Sequence, residues 1–323
     1  MIEQRILTCA VDAVLGKSSD AKFTPEQRVE GMRNYLAELG KDYRRNAILI
    51  NEIVEETVDA ILPIKIAERL GVFADFATVG DGVTKKWHVK NGKISAAYSA
   101  LGVEQPRQKL YKSTFVTQTA PISGAVYAEY EDLASGRVDF AEMIIQLVDA
   151  IMDQIYAGIQ DALVGAFGTT NNANRFVAGT FIQAEFDKLK GVVQAYGKPV
   201  VFGTGVGLTG ISNGAGFDWN KTSEADRLDI RNLGHVGKYK GSDVVELPNS
   251  FTDETNAQKL LDDGYIYMAP INGDKPVKIV LEGKMHIRDK QERDWSTTKE
   301  YYRKAGISVL AINHMALYEN TSL

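Results

Sequence analysis

Residues 205–210, Gly205-Val-Gly207-Leu-Thr-Gly210, spell GxGxxG directly after the strand-like run Pro199–Phe202. Glycines at this spacing allow a tight turn and let a pyrophosphate approach the backbone at a helix N-terminus. The following residues, Ile211-Ser-Asn-Gly-Ala-Gly-Phe-Asp-Trp, are turn-rich, so the strand–turn–helix context is missing and a flexible surface loop is expected here. His88, His235, His286 and His314 are far apart, and none forms an i,i+4 pair or a metal spacing. Each reads as a surface or packing histidine. Neither GxSxG nor a P-loop occurs, and Cys9, the single cysteine, has no histidine beside it. No catalytic residue, cofactor or metal is therefore expected.

The remaining chemistry is charge. Asp139, Glu142, Asp149, Asp153 and Asp161 share the run 138–167 with no Lys or Arg between them. That run reads as one uninterrupted amphipathic helix, because Phe140, Met143, Ile144, Leu147, Val148, Ile151, Ile155, Ile159, Leu163 and Phe167 recur at three- and four-residue steps. Asp139 can cap it and Glu142 can complete a capping box. Helical spacing spreads the carboxylates along a face, so paired acid–base work is not expected of them. An acidic face of this length calls for a basic cover.

The cover lies upstream. Lys85, Lys86, Lys90, Lys93, Arg107, Lys109 and Lys112, with Trp87 among them, stand against one acid, Glu104. Lys85–Lys90 and Lys93–Ala96 flank Asn91-Gly92, a two-residue hairpin signal. This segment has too few aliphatic residues for a core of its own. It reads as an extended arm ordered on a neighbouring subunit, with the acidic helix as receptor.

The rest of the chain supplies the frame. Residues 1–50 are polar, carry a helix start at Thr24-Pro25-Glu26, and read as an arm lying on something else. Helical periodicity runs from Ala47 to Leu70 and is expected to break near Pro63. Residues 119–137 form a β-rich lead-in. Residues 179–276 look like a compact α/β unit, with helices at Ala184–Tyr196 and Ser223–Leu228 and strands at Pro199–Phe202, Val244–Leu247 and Tyr265–Ala269. Strands are expected again at Val277–Leu281, Met285–Arg288 and Ile307–Leu317.

A chain of 323 residues with 44% hydrophobic and 24% charged residues is ordinary for a globular protein. Its formal net charge of −5 argues against non-specific nucleic-acid binding as the main task. The single cysteine fits a reducing compartment. No secretory signal is evident at the start, and no run reaches the ~18 apolar residues of a membrane helix.

In order and character these pieces resemble the major capsid proteins of tailed bacteriophages, the HK97-like fold. The resemblance is carried by Tyr130-Glu-Asp-Leu-Ala-Ser-Gly-Arg-Val-Asp-Phe entering the long helix and by Arg231-Asn-Leu-Gly-His-Val-Gly-Lys-Tyr-Lys-Gly-Ser-Asp-Val-Val-Glu-Leu-Pro-Asn-Ser. Lys278-Ile-Val-Leu-Glu-Gly and Ile307-Ser-Val-Leu-Ala-Ile-Asn-His-Met-Ala-Leu-Tyr add to it. It implies an α+β fold: an N-terminal arm (1–50), a peripheral domain (51–72, 119–178 and 277–323) with the spine helix, an extended loop (73–118) and an axial domain (179–276). It further implies a non-enzymatic subunit that assembles with itself into hexamers and pentamers around double-stranded DNA, without sequence-specific binding or membrane contact. Scaffolding, portal and decoration proteins are the partners so implied, with assembly in the host cytoplasm and residence in the virion. An encapsulin-type nanocompartment subunit is the alternative within the fold, and a nucleotide-dependent oxidoreductase using Gly205–Gly210 the one outside it.

Overall fold

The computed structural model describes residues 4–20, 22–71, 74–90, 107, 111–128, 140–168, 173–213, 223–252, 255–270, 275–291, 297–310 and 314–323. Three helices come first: α1 (Gln4–Leu15), α2 (Pro25–Gly40) and α3 (Tyr43–Leu70). Thr24 starts α2 as expected, in a capping box with Gln27 that satisfies two end groups reciprocally. The first 50 residues are more than a polar arm. Ala10, Ala13, Val14 and Met32 are buried in the same core as the spine helix, and Asp12 is buried while accepting from the Ser19 amide and hydroxyl.

The expected break at Pro63 does not occur, since α3 runs through it. A proline removes one helical hydrogen bond, and here Ile61, Leu62, Ile66 and Leu70 are buried on both sides of it and hold the helix in place. The strands β1 (Ala74–Val79), β2 (Lys86–Lys90), β3 (Tyr111–Val116) and β4 (Ala120–Ala128) follow. Lys86–Lys90 pairs antiparallel with Tyr111–Val116, placing Trp87 opposite Phe115. The expected hairpin partner Lys93–Ala96 lies outside the described residues. Asn91-Gly92 lies outside the described residues.

The spine helix, α4 (Phe140–Phe167), spans 28 residues, about 42 Å at 1.5 Å per residue. Ile144, Leu147, Val148, Ile151, Met152, Ile155, Tyr156, Ile159, Leu163 and Phe167 are all buried, the stripe that periodicity marks. Beyond it come β5 (Arg175–Ala178), α5 (Gln183–Gln194), β6 (Pro199–Thr204), α6 (Gly205–Asn213), α7 (Glu224–Leu233), β7 (Lys238–Tyr239), β8 (Ser242–Leu247) and β9 (Tyr265–Pro270). The chain closes with β10 (Val277–Gln291), β11 (Thr297–Val309) and β12 (Ala316–Asn320).

Two sheets organise these strands, one of order β1-β10-β11-β4 and one of order β5-β12-β9-β6-β8-β7, while β2 and β3 form a separate two-stranded ladder. Two strand expectations change. Val277–Leu281 and Met285–Arg288 belong to one strand, bulged between Glu282 and His286 at Gly283, whose φ is +68°. The expected strand Ile307–Leu317 is two: β11 ends at Val309 in the first sheet, and β12 starts at Ala316 in the second. Apolar residues on both sides of the crossing hide it in the sequence. β5 and β12 both join the six-stranded sheet from outside residues 179–276.

Candidate functional site

The basic segment is anchored at its root by the four-stranded sheet. The half-buried Trp87 indole donates to Thr117 Oγ1 at 3.1 Å, and Thr117 shares a 2.7 Å hydrogen bond with Ser308 Oγ on β11. The ammonium groups of Lys85 and Lys278 each stand 5.2 Å from the centre of the Trp87 ring. Lys278 is buried and held in turn by the Asp75 carboxylate. A second clamp closes on Glu282, which accepts from the Gly82 amide at 2.9 Å and from the Thr119 hydroxyl, with Lys304 Nζ 3.3 Å away. The Thr119 hydroxyl is the main cause holding the Glu282 carboxyl below its ordinary range. Both chains entering and leaving the loop are thereby fixed.

Beyond the root, Lys86 and Arg107 are exposed. Lys90 and Lys112 lie on β2 and β3 by backbone, with their side chains outside the described residues, as are Lys93 and Lys109 entirely. Of the spine acids, Asp149 meets Arg69 of α3 at 3.4 Å, and Asp153 accepts from the Ser250 hydroxyl at 3.0 Å. Burial raises the Asp153 carboxyl above its ordinary range. Asp161 is exposed, Asp139 lies outside the described residues, and so does the side chain of Glu142. Among the described residues no ion pair within the chain joins the loop cations to the spine acids; the basic neighbour of Asp149 is Arg69 instead.

Sequence reasoning missed a third group, the carboxylates of α3. Asp59 accepts from the Met285 amide at 3.1 and 3.2 Å and from Arg303, and Glu55 accepts from the Ile287 amide at 2.5 Å. The Met285 amide lies within the β10 bulge and the Ile287 amide just past it, so the helix supplies acceptors where the ladder is disrupted. Burial raises both carboxyls and lowers the Arg303 guanidinium. Gly283 inside an otherwise apolar–polar strand pattern was the available signal, since a Cβ there would strike the Asp81 carboxylate.

Gly205–Gly210 forms no surface loop. Helix α6 starts at Gly205, immediately after β6, and buries Leu208 and Ile211. The glycines serve close packing: a Cβ on Gly207 would come 2.5 Å from the Asp263 carbonyl oxygen, and one on Gly205 would come 2.5 Å from Glu246 Oε1. No turn separates strand from helix to cradle a pyrophosphate, and the Glu246 carboxylate beside the helix start opposes an anion there. His235 is buried with Nδ1 3.0 Å from the Val236 carbonyl oxygen, while His286 and His314 stack on Tyr302 and Tyr196. Among the described residues no group of histidine, cysteine or carboxylate side chains is arranged to hold a metal, and no helix is long and apolar enough to cross a membrane.

The fold is shared with solved shells at very low sequence identity. The satellite phage P4 procapsid, solved with its size determination protein, superposes with a TM-score of 0.53 at 11% identity, covering 81% of this chain and 90% of that one. The mature capsid of bacteriophage PhiM1 gives 0.50 at 9% identity over 78% and 86%, and a virus-like particle from Pyrococcus furiosus 0.50 at 8% over 84% and 99%. These establish the HK97-like fold. Comparison with curated protein sequences gave no match. A family model described as "SPbeta prophage-derived putative capsid protein YonB" matches residues 7–319. With nearly the whole chain matched and the spine helix, loop root and two sheets in place, this chain belongs to that family of phage capsid proteins.

Proposed function

We propose that the chain is the repeating subunit of an icosahedral shell, built from pentamers and hexamers around double-stranded DNA and assembled in the host cytoplasm. Residues 80–118 act as the inter-subunit arm, the 1–79, 119–174 and 275–310 segments as the peripheral part because β1 (Ala74–Val79) pairs with β10, and 175–270 with 316–320 as the axial part. Scaffolding, portal and decoration proteins are the further partners this reading calls for. Its structural role needs no catalytic group.

The observation that carries the reading is the loop root. Trp87, Thr117 and Thr119 are locked to β10 and β11, yet the ladder they launch belongs to neither large sheet. A two-stranded ribbon is marginal alone in water. A clamped root gives it a fixed direction, and a neighbouring copy gives it a surface. The spine acids Asp139, Glu142 and Asp161 are the proposed receivers of Lys85, Lys86, Lys90, Lys93, Arg107, Lys109 and Lys112 on a neighbouring copy. Exposed pairs contribute about 0–1 kcal/mol each, so assembly stays reversible until many contacts close. Reversing Lys85, Lys86, Lys90 and Lys93 to Glu is expected to block shell formation while leaving the circular dichroism spectrum unchanged. Normal shells from that variant would refute the docking role.

A further inference from the structure

The far half of the four-stranded sheet has two unlike faces. Residues of a strand alternate between faces, and past the bulge the odd positions of β10 and β11 turn towards the helices. Met285, Ile287 and Tyr301 join the core, Asp289 and Lys299 meet Asn51, and Arg303 meets Asp59. The even positions turn the other way. Lys284, His286, Arg288 and Lys290 are all exposed along β10, a row about 20 Å long at ~3.4 Å per residue. Beside them on β11 stand Tyr302, opposite His286 and stacked on it with 5.2 Å between ring centres, and Glu300, opposite Arg288. The next row, on β4, is low: Ser123 faces Tyr302 and Ala125 faces Glu300, both exposed.

Charge on this face runs against that of the chain. The sequence carries a net −5, yet among the described residues past the bulge Lys284, Arg288 and Lys290 stand here against Glu300 alone. The Glu55 and Asp59 carboxylates behind the sheet feel His286 and Lys284, but they are committed to Arg303 and to the Met285 and Ile287 amides. The loop root reaches the same face at Glu282, which holds the Gly82 amide and the Thr119 hydroxyl. A neighbouring copy's arm is itself basic and would be repelled from the row beyond. Another kind of protein partner needs a dry, apolar centre to its interface, and cations beside Ser123 and Ala125 offer none. A polyanion fits: a duplex carries one phosphate charge per ~1.7 Å of its axis, so a row of this length meets several.

We propose that this sheet face binds the phosphate backbone of double-stranded DNA without reading its sequence, with Lys284, Arg288 and Lys290 as the contacting cations. That the polyanion is DNA rests on the shell reading above. The test is fluorescence anisotropy of a labelled mixed-sequence duplex titrated with the full chain, kept below the concentration at which it assembles. Binding is expected to be alike for two unrelated sequences, since backbone contacts carry no sequence information. Combined Lys284→Gln, Arg288→Gln and Lys290→Gln should weaken it at least about tenfold and lower the log–log salt slope by about three. All three side chains are exposed, so the circular dichroism spectrum should not change. Reversing Lys85, Lys86, Lys90 and Lys93 to Glu should leave duplex affinity within about twofold, because exposed charges beyond a Debye length are screened. Absence of duplex binding at about 50 mM salt, or affinity that the triple substitution leaves unchanged, overturns the face whether or not the chain forms shells. Loss of shells in the triple variant with duplex binding intact assigns the face to a neighbouring copy, and loss of duplex binding in the loop variant alone assigns DNA to the arm; both overturn the proposal.

Discussion

The two large sheets are held by different means. The six-stranded sheet is fastened to α5 by aromatic packing: Phe186 lies 5.1 Å from Phe181, 5.3 Å from Tyr239 and 5.6 Å from Tyr318 between ring centres, the Lys198–Asp243 and Lys240–Asp187 pairs sit at the rim, and a buried pair, Arg175–Glu319, ties β5 to β12. The four-stranded sheet is fastened by buried charge, through Lys278–Asp75, Arg303–Asp59 and the Asn51–Asp289–Lys299 cluster. Apolar packing is non-directional and fixes a volume, whereas a buried ion pair is costly unless its geometry is met and therefore fixes a position. The four-stranded sheet, which holds the root of the loop, carries several of these buried pairs.

That contrast can be broken at its strongest points. Phe186→Ala and Arg303→Met are each expected to cost about 3–5 kcal/mol, the first by cavity creation and the second by leaving Asp59 buried without its cation. Hydrogen exchange should separate them, with Phe186→Ala exposing β9 and β12 and Arg303→Met exposing β10 and β11. Asp59→Asn should recover part of the Arg303→Met loss, because it removes the stranded charge and keeps an acceptor for the Met285 amide. Identical exchange patterns for the two substitutions would erase the distinction.

A smaller effect is expected at the loop root. Trp87→Ala removes one hydrogen bond and two cation–π contacts, worth about 1–3 kcal/mol together. Its signature is faster amide exchange across β2 and β3 with α5 and β6 unaffected. Protection retained in β2 and β3 would show that the clamp lies elsewhere.

The smallest is a slope with pH. Burial raises the Glu55 and Asp59 carboxyls above 4.5 and 3.8, so the folded chain binds protons more tightly than the unfolded one. Their contribution is full below those ordinary values and is lost as pH rises through the raised ones. Glu55→Gln keeps an acceptor for the Ile287 amide and should flatten this fall in thermal midpoint. An unchanged slope would mean that other carboxylates cause it.

The same contrast explains what could be read in the sequence. The spine helix was legible because ten apolar positions recur at helical spacing and nothing interrupts them; α5, β6, β8 and β9 were legible for the same local reason. The clamp partners were not, because Asp59 and Arg303 are 244 residues apart and Trp87 meets Lys278 across the chain. Gly205–Gly210 misled in the opposite sense, since glycines that suggest a loop were selected by the Asp263 backbone and the Glu246 carboxylate pressing on a helix. Acids on the spine looked uncovered because Arg69 and Ser250 belong to other elements. Pattern reveals what an element buries; it is silent on which distant charge it meets.

The most direct test of the account is negative-stain electron microscopy of the purified chain, alone and with the products of neighbouring genes. Closed shells, or rings of five and six, are the predicted result. A uniform monomer or dimer under every condition would contradict it.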